Sequence, residues 1–178
     1  MSGRHVLVLG GARSGKTAFA ERLAMGAGVR PVYLATAEAL DSEMRERVES
    51  HRRQREGRFA TVEEPLALAR AIDDAAAKHD VILVDCLTLW ITNLLGAGRD
   101  VAEAVEQLAT TLTRIESARV ILVSNEVGLG IVPDNALART FRDLAGSTHQ
   151  RLAEICDDVY FVVAGLPMTF KGTAPGAS

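Results

Sequence analysis

Residues 7–23 read LVLGGARSGKTAFAERL, an apolar run that breaks into a glycine-rich turn and resumes as a helical pattern. Gly10, four residues, then Gly15-Lys16-Thr17 is the spacing of a phosphate-binding P-loop, with a strand before it and a helix after it as that motif requires. His5 to Leu9 reads as a buried strand and Thr17 to Met25 as a helix. Gly10, Gly11 and Gly15 let the backbone turn tightly and point N–H groups inward, while the helix N-terminus adds partial positive charge. The loop Gly10-Gly11-Ala12-Arg13-Ser14-Gly15 therefore suits a triphosphate. Lys16 is placed to reach β- and γ-phosphate oxygens, and the Thr17 hydroxyl to take one position on Mg²⁺.

Further apolar runs recur at Val32–Ala35, Val81–Val84, Val120–Val123 and Val159–Val163, separated by stretches long enough for crossover helices. Helical patterns are expected at residues 40–55, Pro65–Lys78, Val101–Ile115 and Asn135–Ile155, with Pro65 in a first helical turn. This alternation predicts an α/β, P-loop NTPase-type three-layer fold around a mostly parallel sheet, as a single nucleotide-binding domain over residues 1–178. In such sheets ligands bind beyond the carboxyl ends of the strands. The P-loop, the stretch Ala35–Glu38, Asp85, and Asn125 with Glu126 thus become candidates as a group.

The composition, 48% hydrophobic and 24% charged over 178 residues, suits one globular domain with a sizeable core. A net charge of −3 carries no electrostatic footprint for nucleic acid or an anionic membrane. Cys86 and Cys156 sit in apolar sequence and read as buried thiols, which makes the cytoplasm the expected compartment. No secretion signal or membrane-spanning run is apparent.

Asp85 ends an apolar strand, as does the acid that accompanies a P-loop and serves Mg²⁺; an acidic helix N-cap is the plain alternative. In EMRERVESHRRQREGRF, residues 43–59, His51 prolongs the apolar stripe Leu40, Met44 and Val48, and Arg52, Arg53, Arg55 and Arg58 crowd behind it. Pattern alone favours a core-edge histidine and a solvated basic face; a nucleophilic imidazole beside phosphate-neutralising guanidiniums is the sharper reading. Glu63 and Glu64 suit either a helix start or acceptance of hydrogen bonds from a guanine edge or ribose. Ser124, Asn125 and Glu126 present polar groups before a loop containing Pro133 and Asp134. His5, His79 and His149 have no ligand cluster near them in sequence and read as structural.

Several stretches occur in order: LVLGGARSGKT, VYLATAEALDSEMRERVESHRRQR, TVEEP, DCLTLWITNLL, SNEVGLGIVPDNALARTFRDLAGSTHQRLAE and VYFVVAGLPM. Together they resemble the bifunctional adenosylcobinamide kinase and adenosylcobinamide-phosphate guanylyltransferase family of cobalamin biosynthesis, over nearly the whole chain. The asparagine of that family's last helical motif is His149 here, followed by Gln150. The resemblance implies two reactions. A nucleoside triphosphate, ATP or GTP, phosphorylates the hydroxyl of adenosylcobinamide; GTP then gives GMP to the new phosphate through a GMP-histidine intermediate. By matching, His51 is that histidine and Lys16 the other catalytic residue. Gly10 to Thr17, Ala35, Thr36, Ala37, Arg52, Arg53, Gln54, Arg55, Glu63 and Asp85 are implied nucleotide contacts, with Thr17 and Asp85 on the metal. A homo-oligomer is implied as well, a trimer among its forms. The competing readings are a P-loop kinase of another small hydroxyl metabolite, which has no need of His51, and a non-catalytic nucleotide-dependent switch.

Overall fold

Strands β1 (Val6–Gly10), β2 (Pro31–Ala35), β4 (Val81–Asp85), β5 (Arg119–Asn125) and β6 (Asp158–Val163) grow from the five apolar runs. In the computed structural model, which describes residues 5–37 and 57–175, they are joined by β3 (Ala60–Glu63) and β7 (Leu166–Lys171) in one sheet ordered β3-β2-β4-β5-β1-β6-β7. All pairings are parallel except β6 with β7, a hairpin turning through Ala164 and Gly165, both at positive φ. The helix expected over residues 40–55, and with it His51, Arg52, Arg53, Gln54 and Arg55, lies outside the described residues.

Helices cover both faces, so the fold is three-layered as expected. α1 (Lys16–Ala27) packs Phe19, Ala20 and Ala24 against Val6, Val8, Leu83, Ile121, Val123 and Val162. The opposite face carries α2 (Leu68–Ala76), α3 (Leu87–Gly96), α4 (Val101–Arg114) and α5 (Ala136–Ile155) over Leu7, Leu34, Ile82, Val84 and Leu122. Strands buried on both faces read as continuous apolar runs, which is why they were visible in sequence. Among the described residues, no helix is long and apolar enough to cross a membrane.

One local expectation needs correction, and two elements were not anticipated. Pro65 lies in a bend before α2 rather than in its first turn, and the Glu64 carboxylate ties that bend by accepting from the N–H groups of Leu66 (2.9 Å) and Ala67 (2.8 Å). α3 and β7 were not expected at all. Asn135 caps the last helix, its Oδ1 accepting from the Ala138 N–H at 2.7 Å, and Asp134 lies in the bend just before it.

Candidate active site

The carboxyl ends of the parallel strands form one edge, and the P-loop lies along it between β1 and α1. Two of its glycines are required for different reasons. Gly15 caps α1 at φ 91, where a side chain is strained, and a Cβ there would stand 3.0 Å from Cα of Gly165. Gly10 has no room: a Cβ would come within 2.6 Å of Ser14 Oγ and 2.7 Å of the Val162 carbonyl oxygen. The β6–β7 turn braces the loop from the side, with the Gly165 N–H donating to the Ser14 carbonyl at 2.8 Å. Ala12 and Arg13 are exposed at the rim.

Lys16 is 8% exposed and its Nζ donates to the Gly11 carbonyl at 3.1 Å. Burial lowers its pKa, opposed by the nearby Asp85 carboxylate and Cys86. Asp85 closes β4 directly beneath the start of α1. Its Oδ2 accepts from the Tyr33 hydroxyl at 2.6 Å and from Thr17 Oγ1 at 3.3 Å. The N-cap alternative for Asp85 therefore fails; Cys86 occupies that position, with no side-chain cap bond. Thr17 and Asp85 together offer one hydroxyl and one carboxylate oxygen. That hard-oxygen pair fits Mg²⁺, whose octahedral shell is otherwise filled by phosphate oxygens and water. Among the described residues no cluster of three or more His, Cys, Asp or Glu side chains offers an alternative metal site.

The ends of β2, β3 and β4 lie in register, Ala35 opposite both Glu63 and Asp85. Thr36 is fully buried, and its hydroxyl accepts from the Cys86 N–H at 2.9 Å and donates to the Cys86 carbonyl at 2.7 Å. Asn93, from α3, donates to the Thr36 carbonyl at 2.7 Å and to the Pro65 carbonyl at 3.1 Å. The Ala35–Ala37 stretch is thus held by side-chain bonds from two sides, with Thr36 as its anchor. Burial and the Asp85 carboxylate push the Cys86 thiol's pKa up, so it is a packing group rather than a nucleophile.

Beyond β5 the chain stays tied to the P-loop through the Glu126 N–H, which donates to the Gly10 carbonyl at 3.0 Å. Asn125 Nδ2 donates to Thr88 Oγ1 at 3.0 Å. Ser124, fully buried, meets His149 of α5, Oγ to Nε2, at 2.7 Å. The carboxyl edge carries Gly10–Thr17, Ala35–Ala37 and Asp85, with Glu63 at its far end on β3, four strands from β1. Tyr33 was missed; its signal was a hydroxyl-bearing side chain two residues before the end of an apolar strand.

Comparison with known proteins bears on these groups. A family model described as "Cobinamide kinase / cobinamide phosphate guanyltransferase" matches residues 6–170. The bifunctional adenosylcobalamin biosynthesis protein CobP of Pseudomonas aeruginosa is 47% identical over 175 residues, 93% of this chain and 96% of that one. The CobU proteins of Salmonella typhimurium and Escherichia coli, with the same description, are 40% and 41% identical, each covering 93% of this chain and 99% of their own. Among solved structures, a KaiC-like protein, PH0186, from Pyrococcus horikoshii superimposes with a TM-score of 0.54 at 20% identity, covering 90% of this chain and 71% of its own. The flagellar accessory protein FlaH of Methanocaldococcus jannaschii gives 0.54 at 13% identity over 97% and 80%. These two likenesses speak to the fold alone.

Proposed function

The chain belongs to the cobinamide kinase / cobinamide phosphate guanyltransferase family, and from that premise we propose that it carries out both reactions. In the first, ATP or GTP phosphorylates the hydroxyl of adenosylcobinamide. In the second, a His51 ring nitrogen attacks the α-phosphorus of GTP, forming a P–N bond as the bond to pyrophosphate breaks. The corrinoid phosphate then displaces the histidine and leaves as adenosylcobinamide-GDP. The observation that carries the reading is the convergence of Thr17 and Asp85 at 3.3 Å below the phosphate loop, in a chain matched to the family from end to end of its sheet.

Lys16 and the inward-pointing N–H groups of the loop bind and orient the triphosphate. Thr17 and Asp85 would hold Mg²⁺, which when bound supplies charge neutralisation across the phosphate oxygens. Tyr33 fixes the Asp85 carboxylate for that task. Gly10 to Thr17, Ala35 to Ala37, Glu63 and Asp85 form the nucleotide-facing edge in this reading, with Arg52, Arg53, Gln54 and Arg55 as further contacts. A neutral imidazole at His51 brings its own lone pair to the phosphorus and needs no separate base. The reading also includes one domain over residues 1–178, a cytoplasmic setting and a homo-oligomer, a trimer among its forms. The exposed apolar side chains Leu166, Met168 and Phe170 along β7, and Leu129, Ile131 and Leu137 beyond β5, support self-association.

The test is incubation with Mg²⁺ and GTP labelled at the α-phosphorus, without corrinoid, followed by denaturing electrophoresis. Acid-labile label on the wild type and none on His51→Ala is the expected result. An unlabelled wild type that still phosphorylates a hydroxyl would leave a plain P-loop kinase.

A further inference from the structure

The two reactions differ in one chemical demand. In guanylyl transfer the attacking groups, a neutral imidazole and then a phosphate dianion, have lone pairs to offer and no proton that must leave. In phosphoryl transfer the nucleophile is an alcohol, whose proton has to go to a base as the O–P bond forms. One carboxylate with access to the γ-phosphate region is therefore needed for the kinase step only.

The strand-end carboxylates of the described residues differ in what they are free to do. Asp85 accepts from Tyr33 and Thr17. Glu64 caps the turn before α2 through two backbone N–H groups. Glu63 ends β3, four strands from β1 in the sheet order, which is about 19 Å at the usual strand spacing. Glu126 follows β5, the immediate neighbour of β1. Gly10 pairs with Asn125, so Glu126 stands beside the first turn of the phosphate loop, its N–H on the Gly10 carbonyl.

Its side chain is held rather than loose. Oε1 accepts from the Gly128 N–H, and Oε2 lies 3.8 Å from Nδ1 of His149, with the carboxylate side chain 21% exposed. His149 is itself buried, and its other nitrogen meets Ser124 Oγ at 2.7 Å. Burial keeps the imidazole's pKa low, against the pull of Glu126, so the ring is neutral near pH 7. The neighbouring Glu126 carboxylate favours the tautomer with the N–H on Nδ1, in which Nε2 accepts from the Ser124 hydroxyl. A buried histidine in the middle of a helix is thereby turned toward a partly open carboxylate beside the phosphate loop.

We propose that Glu126 is the base of the kinase step, taking the proton of the acceptor hydroxyl, and that His149, oriented by Ser124, is the positioning residue that aims it. The hydroxyl oxygen bonds to the γ-phosphorus, the bond to the departing nucleoside diphosphate breaks, and the proton passes to the Glu126 carboxylate and from there to solvent. The inference rests on the kinase half of the function proposed above.

The test measures both reactions separately in the full-length enzyme: phosphorylation of adenosylcobinamide, and guanylylation of adenosylcobinamide phosphate supplied ready-made. Glu126→Gln keeps the size and the Gly128 bond but cannot take a proton. It is expected to lower the ratio of phosphorylation to guanylylation by about 100-fold or more, through kcat rather than KM. Glu126→Asp should recover part of that ratio. His149→Leu should lower it by about tenfold, and His149→Asn, which retains polar groups, by less. An unchanged ratio in Glu126→Gln overturns the proposal. So does an equal fall of both reactions, which would mark Glu126 as a turn residue that shapes the loop through Gly128. A wild type inactive in both reactions takes down the function and this inference together; an active wild type with an unimpaired Glu126→Gln takes down the inference alone.

Discussion

Removing the Tyr33 hydroxyl isolates what positions Asp85. Tyr33 is 4% exposed, and its ring meets Phe59 edge to face with centroids 6.2 Å apart, so Tyr33→Phe keeps the packing and deletes the 2.6 Å bond to Asp85 Oδ2. A hydrogen bond to a charged acceptor contributes about 1.5–3 kcal/mol net. Asp85 retains Thr17 and stands at a partly open strand end, so the lower value applies, about 1.5 kcal/mol. For a chain of this size that lowers Tm by about 3–6 °C. If the same free energy is spent aiming the carboxylate, the Mg²⁺ concentration needed for half-maximal activity rises about tenfold. Thermal unfolding of Tyr33→Phe, Asp85→Asn and the double variant gives the coupling directly. Single effects that add to within about 0.4 kcal/mol, with an unchanged Mg²⁺ requirement, would refute the reasoning.

Gly15→Ala places a Cβ at φ 91, close against Gly165, and should cost about 1–2 kcal/mol; calorimetry is expected to show weaker nucleotide binding together with the lower Tm. Stability should also fall on mild acidification. Burial lowers the pKa of both His5 and His149 below the ordinary 6.5. The unfolded chain therefore binds protons that the folded one refuses once the pH drops through 6.5, while stability is flat with respect to these groups above it. Urea midpoints between about pH 7.5 and about pH 5.5 should decline, and His149→Asn should make the decline shallower; a midpoint independent of pH across that window would contradict the burial of both rings.

How much was legible follows from what each residue's neighbours in sequence reveal. Val81–Val84 or Val120–Val123, buried on both faces, announce themselves because every position is apolar. The P-loop is legible because its physics is local: a turn, a helix start, a lysine. α3 was hidden because it begins directly after the strand at Cys86 with no side-chain cap, so the apolar positions Leu87, Trp90, Ile91 and Leu94 had no boundary to define them. β7 was hidden because its alternate residues Leu166, Met168 and Phe170 face outward, leaving no core signal. Tyr33 with Asp85 and Ser124 with His149 meet across 52 and 25 residues of chain. Such pairs exist only once the strands have been ordered, and no spacing rule encodes them.

Among the described residues, α1 is the helix that packs buried side chains onto its face of the sheet: Phe19, Ala20 and Ala24. Its first turn also belongs to the phosphate loop. Ligand affinity and the packing of the smaller hydrophobic cluster are consequently properties of a single rod. A substitution at Ala24, about two turns and a little more from Lys16 and in contact with no phosphate, will be felt at the loop as a tilt. Its carriers would be scored in a binding assay as active-site mutants, although the lesion lies in the packing behind the site.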